Sequence, residues 1–266
     1  MDTDWPGNPP DYSRPPRGEL TVAQVAAMID HSLLRPELPL DDITLGCEIA
    51  ATHEVRSVCC KPADVVHASR LLADTPVLVG TVVGFPHGSS TTDTKVFEAR
   101  RALDDGAREL DMVINIGRLR GGDDAYVGAD IRAIVDVAAT TGALVKVIFE
   151  NAYLTDDEKV RACHLTEEAG ADFVKTSTGF AASGATMDDL ILMRRSVGPA
   201  MQVKAAGGVR TLDTLLAMVA VGASRFGATV TVAMLADAKG QAARGDLRVP
   251  SAEEAVEAVS AAAHQY

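Results

Sequence analysis

Three stretches decide the fold: Ala143-Leu-Val-Lys146-Val-Ile-Phe149, Asp172-Phe-Val-Lys175-Thr176 and Met201-Gln-Val-Lys204-Ala-Ala206. Each is a short apolar run, rich in β-branched and aromatic residues and bounded by glycine or turn residues, so each reads as a buried strand. Each also carries a lysine, and the three lysines stand 29 residues apart without a break. A buried ammonium is costly without a partner. A single lysine near a strand end usually reaches solvent. Three at one strand position, one repeat apart, predict amines converging on a shared cavity.

Outward from these runs the chain alternates. Strand-like segments are expected near 29–33, 55–60, 77–84, 109–115, 143–150, 172–177, 201–206 and 224–228. Amphipathic helices are expected near 41–53, 62–73, 92–105, 124–140, 155–169, 186–197 and 211–221, with another after 229. Start signals include Asp41, Thr155 ahead of Glu158, Thr186 ahead of Asp189, and Thr211. Short crossovers force a parallel sheet. Eight near-equal units, with no GxGxxG after the first strand, predict an α/β fold closed into a single (β/α)8 TIM barrel rather than a doubly wound sheet. Thr21 with Gln24 resembles a capping box and predicts an extra N-terminal helix running through Met28. Pro6, Pro9, Pro10, Pro15 and Pro16 mark residues 1–18 as a flexible, disordered tail. The expected domains are therefore that tail and a barrel over 19–266.

Bulk composition narrows the function. A chain of 266 residues suits one such barrel. Its 25 basic and 37 acidic residues give a net charge of −12, which argues against a nucleic-acid or acidic-membrane surface. An anionic substrate would need a local positive site. Cys47, Cys59, Cys60 and Cys163 form no CxxC and suggest reduced thiols in a cytoplasmic protein. No signal peptide is expected, and no apolar run approaches the ~20 residues of a membrane helix.

Strand alternation sets which side chains point inward. The expected inward sets are Asp111, Val113 and Asn115; Lys146, Ile148 and Glu150; Phe173, Lys175 and Ser177; and Gln202, Lys204 and Ala206. An amine attacks a carbonyl only when unprotonated. Moving a lysine from about 10.4 to near 7 takes roughly 4 kcal/mol, within what burial and a second cation supply. The resulting Schiff base is an electron sink, which permits carbon–carbon chemistry with no metal or other cofactor. Asp111 and the other lysines would move protons. The spacing alone does not choose among the three lysines. The histidines show no metal-ligand spacing, and Cys59-Cys60 reads as core thiols at the cavity edge.

A second constellation is Lys204-Ala-Ala-Gly207-Gly208-Val-Arg210-Thr211, a Gly-Gly turn leading into a helix. Backbone N–H groups at a helix start bind phosphate, and the loops after strands seven and eight are a frequent phosphate site in barrels. The next loop, Phe226-Gly227-Ala228-Thr229, adds a glycine and a hydroxyl.

Glu109-Leu-Asp-Met-Val-Ile-Asn-Ile-Gly117, Lys146-Val-Ile-Phe-Glu150, Phe173-Val-Lys-Thr-Ser-Thr-Gly179 and Val203-Lys-Ala-Ala-Gly-Gly-Val-Arg210 resemble the signature strands of the deoxyribose-phosphate aldolase family. So do Asp30-His-Ser-Leu-Leu34 and Gly84-Phe-Pro-His-Gly88. The resemblance, over about residues 22–237, implies a class I aldolase that splits 2-deoxy-D-ribose 5-phosphate into acetaldehyde and D-glyceraldehyde 3-phosphate. It implies Lys175 as the Schiff-base lysine, Lys204 as the second amine that lowers its pKa, and Asp111 as the general acid/base. Lys146 and Ser32 would support them, and Tyr266 matches a C-terminal tyrosine that reaches the active site in some members. Gly179, Gly207, Gly208, the Gly227 loop and Thr229 would hold the phosphate. Implied partners are a small phosphorylated sugar and aldehydes, with a homodimer left open. Val230 departs from the pattern by removing a second hydroxyl, which keeps two alternatives in view: a related aldolase for a different or unphosphorylated aldehyde, and a non-catalytic sugar-phosphate-binding barrel.

Overall fold

In the computed structural model, which describes residues 18–263, eight strands pair in parallel and in chain order, and the last pairs with the first to close a barrel. They are β1 (Ile29–Leu33), β2 (Ser57–Cys60), β3 (Leu78–Val83), β4 (Glu109–Val113), β5 (Leu144–Ile148), β6 (Phe173–Lys175), β7 (Gln202–Ala206) and β8 (Arg225–Ala228). All eight fall within the expected segments. The connecting helices are α2 (Leu40–His53), α3 (Val65–Leu71), α4 (Thr92–Asp104), α6 (Asp124–Ala139), α7 (Asp156–Glu168), α8 (Met187–Arg195), α9 (Leu212–Ala220) and α10 (Thr231–Arg244). Before them stands α1 (Val22–Ala26); the sequence reading did not delimit α5 (Ile116–Arg120) or α11 (Ala252–Ala263). Nearly all of the expected tail and Tyr266 lie outside the described residues.

Threonine caps do much of the punctuation. Thr21 and Thr155 form full capping boxes with Gln24 and Glu158, and the hydroxyls of Thr91, Thr186 and Thr211 each accept an N–H from the first turn of their helix. Each satisfies a donor that the helix itself leaves unpaired. Two expected boundaries shift. Helix α1 ends at Ala26, because Ala27 and Met28 turn the chain into β1. Asp41 lies inside the first turn of α2 rather than capping it, where its charge still favours the positive end of the helix dipole.

The strands build two different interiors. Outward-facing residues such as Val58, Leu110, Met112, Val145, Val147, Val174, Val203 and Phe226 join one continuous apolar layer beneath the helices. Inside the barrel, apolar side chains are few: a small cluster of Leu34, Cys59 and Val82 with Phe85 against it, and Val113, Ile148 and Phe173 beside the charged groups. Much of that interior is charged: Asp30, Glu109, Asp111, Lys146, Lys175, Lys204 and Arg225 are all buried there. Barrel interiors are ordinarily filled with branched apolar side chains. The exception marks the site.

His31 shows how the outer layer is tied down. It points away from the barrel axis, and its Nδ1 is 2.8 Å from the hydroxyl of Thr231, the first residue of α10. Burial pushes its imidazole down to about 4, from an ordinary value of 6.5. The unfolded chain therefore binds a proton that the folded chain refuses between those values. Stability is full above about pH 6.5 and is lost as pH falls toward 4, by up to about 3 kcal/mol. Thermal melts of His31→Gln should lack this part of the acid slope; an unchanged slope would assign the loss to other groups.

Candidate active site

A cavity of about 540 Å³ opens at the carboxyl ends of the strands. It is lined by Ser32, Cys59, Lys175, Lys204, Gly179, Gly207, Gly208, Gly227 and Thr229, together with Arg35, Phe180 and Arg210. All the glycines expected at a phosphate are present in this wall.

Beneath the cavity Asp111 accepts hydrogen bonds from three amines. Lys146 Nζ donates to Oδ1 at 2.7 Å, while Lys175 Nζ and Lys204 Nζ both donate to Oδ2 at 2.6 Å. The three lysines thus converge as expected, but not at one level. Lys175 pairs across the sheet with Lys204, whereas Lys146 pairs with Phe173 and Ile148 is the neighbour of Lys175. The stagger of a closed barrel breaks the equality that the 29-residue spacing suggested. Lys146 does not line the cavity; it lies deeper, holding Asp111 and donating to Glu109 Oε2 at 2.6 Å.

The amines differ in how firmly they hold a proton because their partners differ. Burial pushes the Lys175 ammonium down; Asp111 opposes this, Lys204 adds to it, and the result is below the ordinary lysine value. Burial acts on Lys204 too, but Asp111 and Asp30, whose Oδ2 is 2.6 Å away, together hold its ammonium above that value. Lys146 is likewise raised, since Asp111 and Glu109 overcome its burial. Burial disfavours the Asp111 carboxylate, yet the three lysines hold its pKa well below the ordinary range. The site therefore contains a buried amine that gives up its proton more easily than usual, beside an ammonium that keeps its own. Burial also pushes the Cys59 thiol up to about 11, so it stays protonated at neutral pH.

The sequence fingerprints around these residues now have both a fold and a site behind them. A profile of the DeoC/LacD family aldolases matches residues 22–243. The chain belongs to that family. It is 51% identical over 216 residues to deoxyribose-phosphate aldolase 1 of Oceanobacillus iheyensis, covering 81% of this chain and 97% of the relative. It is 51% identical over 217 residues to the deoxyribose-phosphate aldolase of Thermococcus gammatolerans, covering 81% and 96%. The tetrameric structure of deoxyribose phosphate aldolase from Aeropyrum pernix superposes with a TM-score of 0.75 at 31% identity, over 82% of this chain and 92% of that one.

In this aldolase the glycine loops are shaped by close approach. Gly207 has φ +77°, and a Cβ there would sit 2.9 Å from the Gly184 Cα. Neither position tolerates a side chain. Gly208 has φ +85°, but a Cβ there would meet nothing within 4 Å, because it faces the open cavity. Val230 occupies the N-cap of α10 and supplies no side-chain acceptor to its first turn. The N–H groups of a 14-residue helix thus start beside Thr229 without a side-chain cap.

Three charged residues of the site were not singled out from sequence: Asp30, Glu109 and Arg225, all buried. A signal existed. Glu109 lies two residues before Asp111 and Arg225 two before Gly227, so the alternation that turns the later residue inward turns the earlier one inward too. Glu150 was placed on the inward face, but as a strand residue. It has φ +57°, just past the end of β5, and its carboxylate accepts from the backbone N–H and hydroxyl of Thr178, fixing the loop that ends at Gly179.

Proposed function

We propose that this aldolase cleaves 2-deoxy-D-ribose 5-phosphate, reversibly, to D-glyceraldehyde 3-phosphate and acetaldehyde through a Schiff base on Lys175. The contrast among the three amines carries the choice of lysine. Among Lys146, Lys175 and Lys204, Lys175 is held below the ordinary lysine value, and it reaches the cavity. The neutral amine adds to the aldehyde carbon and water leaves, giving a protonated imine. Removal of the C3 hydroxyl proton breaks the C2–C3 bond, releases the phosphorylated aldehyde and leaves the electron pair as an enamine. Protonation at C2 and hydrolysis free acetaldehyde and regenerate the amine.

Lys204 and Asp111 serve the proton steps. Asp111 Oδ2 is shared by Lys175 and Lys204, so a proton leaving one nitrogen has a route to the other through that oxygen. Lys146 orients the carboxylate from the far side, and Ser32 stands in the wall beside the amines. A role for Tyr266 would come from beyond the described residues. We assign the phosphate to Gly179, Gly207, Gly208, Gly227 and Thr229, supported by the uncapped start of α10 and by the Arg210 and Arg35 side chains in the same wall. The barrel domain is taken to begin at residue 19, where Glu19 bridges Arg248 and ties the start of the described chain to the segment between α10 and α11. Four buried free thiols support a cytoplasmic, reducing setting, and a homodimer is left open. Among the described residues no helix is long and apolar enough to cross a membrane.

Borohydride trapping with acetaldehyde, followed by peptide mapping, tests the covalent step. The adduct is expected on Lys175; an adduct on Lys146 or Lys204 would overturn the assignment. Gly208→Ala tests the phosphate. The added methyl meets no atom within 4 Å, though φ +85° costs it some backbone strain, and it would crowd a bound phosphate. KM for deoxyribose 5-phosphate should rise about tenfold, the scale of one lost hydrogen bond, with much less change for unphosphorylated deoxyribose. Equal effects on both sugars would place the phosphate elsewhere and favour the unphosphorylated-aldehyde reading.

A further inference from the structure

The buried charges form a closed figure. Arg225 Nη1 donates to Asp30 Oδ1 at 2.6 Å and lies 3.2 Å from both Glu109 oxygens. Asp30 leads to Lys204, Glu109 leads to Lys146, and both lysines meet at Asp111. Six charges of alternating sign thus make a ring, three cations and three carboxylates, rooted at Arg225 and joined at Asp111. Lys175 hangs from Asp111 as a seventh group.

We propose that Arg225 and Glu109 are positioning residues of the amine site: they close a ring of six balanced charges beside which a protonated Lys175 is the surplus cation. The ring explains why three lysines in one interior behave differently. Lys146 and Lys204 each bridge two carboxylates of the ring and are needed as cations. Lys175 touches one carboxylate already matched by the other two amines, so its proton would leave the interior with an excess positive charge. Arg225 suits the root. Its guanidinium stays charged under all working conditions, and it packs over the Phe173 ring at 5.4 Å, which fixes its plane.

The inference rests on the Schiff-base reading; outside the ring, the half-buried Asp172 carboxylate, which accepts from the Val145 N–H, acts on Lys146 and Glu109. Lys175 faces Asp111 from β4, Lys204 from β7 and the Cys59 thiol from β2, with Lys146 of β5 behind Asp111. Arg225 faces Asp30 from β1 and Glu109 from β4; Arg56 Nε also lies 3.9 Å from Glu109, with its side chain partly exposed. Removing charge at the root should therefore act in opposite directions according to its sign.

The test is the pH profile of kcat/KM together with the pH dependence of borohydride trapping. Arg225→Met leaves three carboxylates facing two ring cations, so Lys175 takes the vacant charge. The acidic limb should move up by about one pH unit, with about a tenfold loss at neutral pH that recovers in alkali. Glu109→Gln should move the limb the other way, and Arg225→Lys should restore the wild-type profile. Should Arg225→Met not fold, the downward shift in the near-isosteric Glu109→Gln decides. Losses uniform across pH, or shifts of the same sign in both variants, would show ordinary packing and overturn the proposal. Failure to trap an adduct on wild-type Lys175 would instead sink the Schiff-base reading itself.

Discussion

Lys175→Met is expected to abolish cleavage, by a factor on the order of a million, the scale on which enzymes lose rate when a covalent nucleophile is removed. Methionine nearly matches the stem of lysine and removes only the amine. Asp111 keeps Lys146 and Lys204, and the six-charge ring stays closed. The fold should therefore survive; a side chain only 3% exposed has also shed a polar group that burial disfavours. Calorimetry should still detect deoxyribose 5-phosphate, because the glycine loops and the start of α10 are untouched. Loss of turnover with retained binding separates the covalent step from recognition, and it also separates an enzyme from a non-catalytic sugar-phosphate-binding barrel. Turnover within a hundredfold of the wild type would mean that another amine forms the imine.

Period-two alternation made the strands legible, and with them Asp111, Lys175 and Lys204. Strand position could not reveal their relative height. The register of a closed barrel is set by the stagger between neighbours, which no single run encodes; hence Lys146 came out one layer too high. Asp30, Glu109 and Arg225 escaped notice for a related reason. Each opens or nearly opens its strand, where a charged side chain ordinarily reads as a solvated end, and their mutual distances depend on closing β8 onto β1. The short helix α5 contains a glycine and completes little more than one turn, too little for a periodic signal. The phosphate loops were readable as glycine turns, but the contact that requires Gly207 comes from Gly184, 23 residues earlier.

Lys204→Leu has the second-largest expected effect, and the ring fixes its sign. Without Lys204, Asp30, Glu109 and Asp111 keep two ring cations, Lys146 and Arg225, with Arg56 at the outer edge of Glu109, and the group touching Asp111 that can supply the missing cation is Lys175. Its folded pKa should rise. The fraction of neutral amine then falls at neutral pH, and the route from Asp111 Oδ2 to a second nitrogen is gone. The expected loss in kcat is at least about 100-fold, the range for general acid–base groups. Part of it should return as pH rises, because alkali restores the nucleophile but not the relay. Stability should suffer less than the usual 3–5 kcal/mol for a broken buried pair, since protonated Lys175 can stand in for the lost charge. A loss that pH does not relieve would mean that proton relay alone is missing and that Lys204 does not set the state of Lys175. A near-normal rate would make Lys204 a counter-ion to Asp30 and no more.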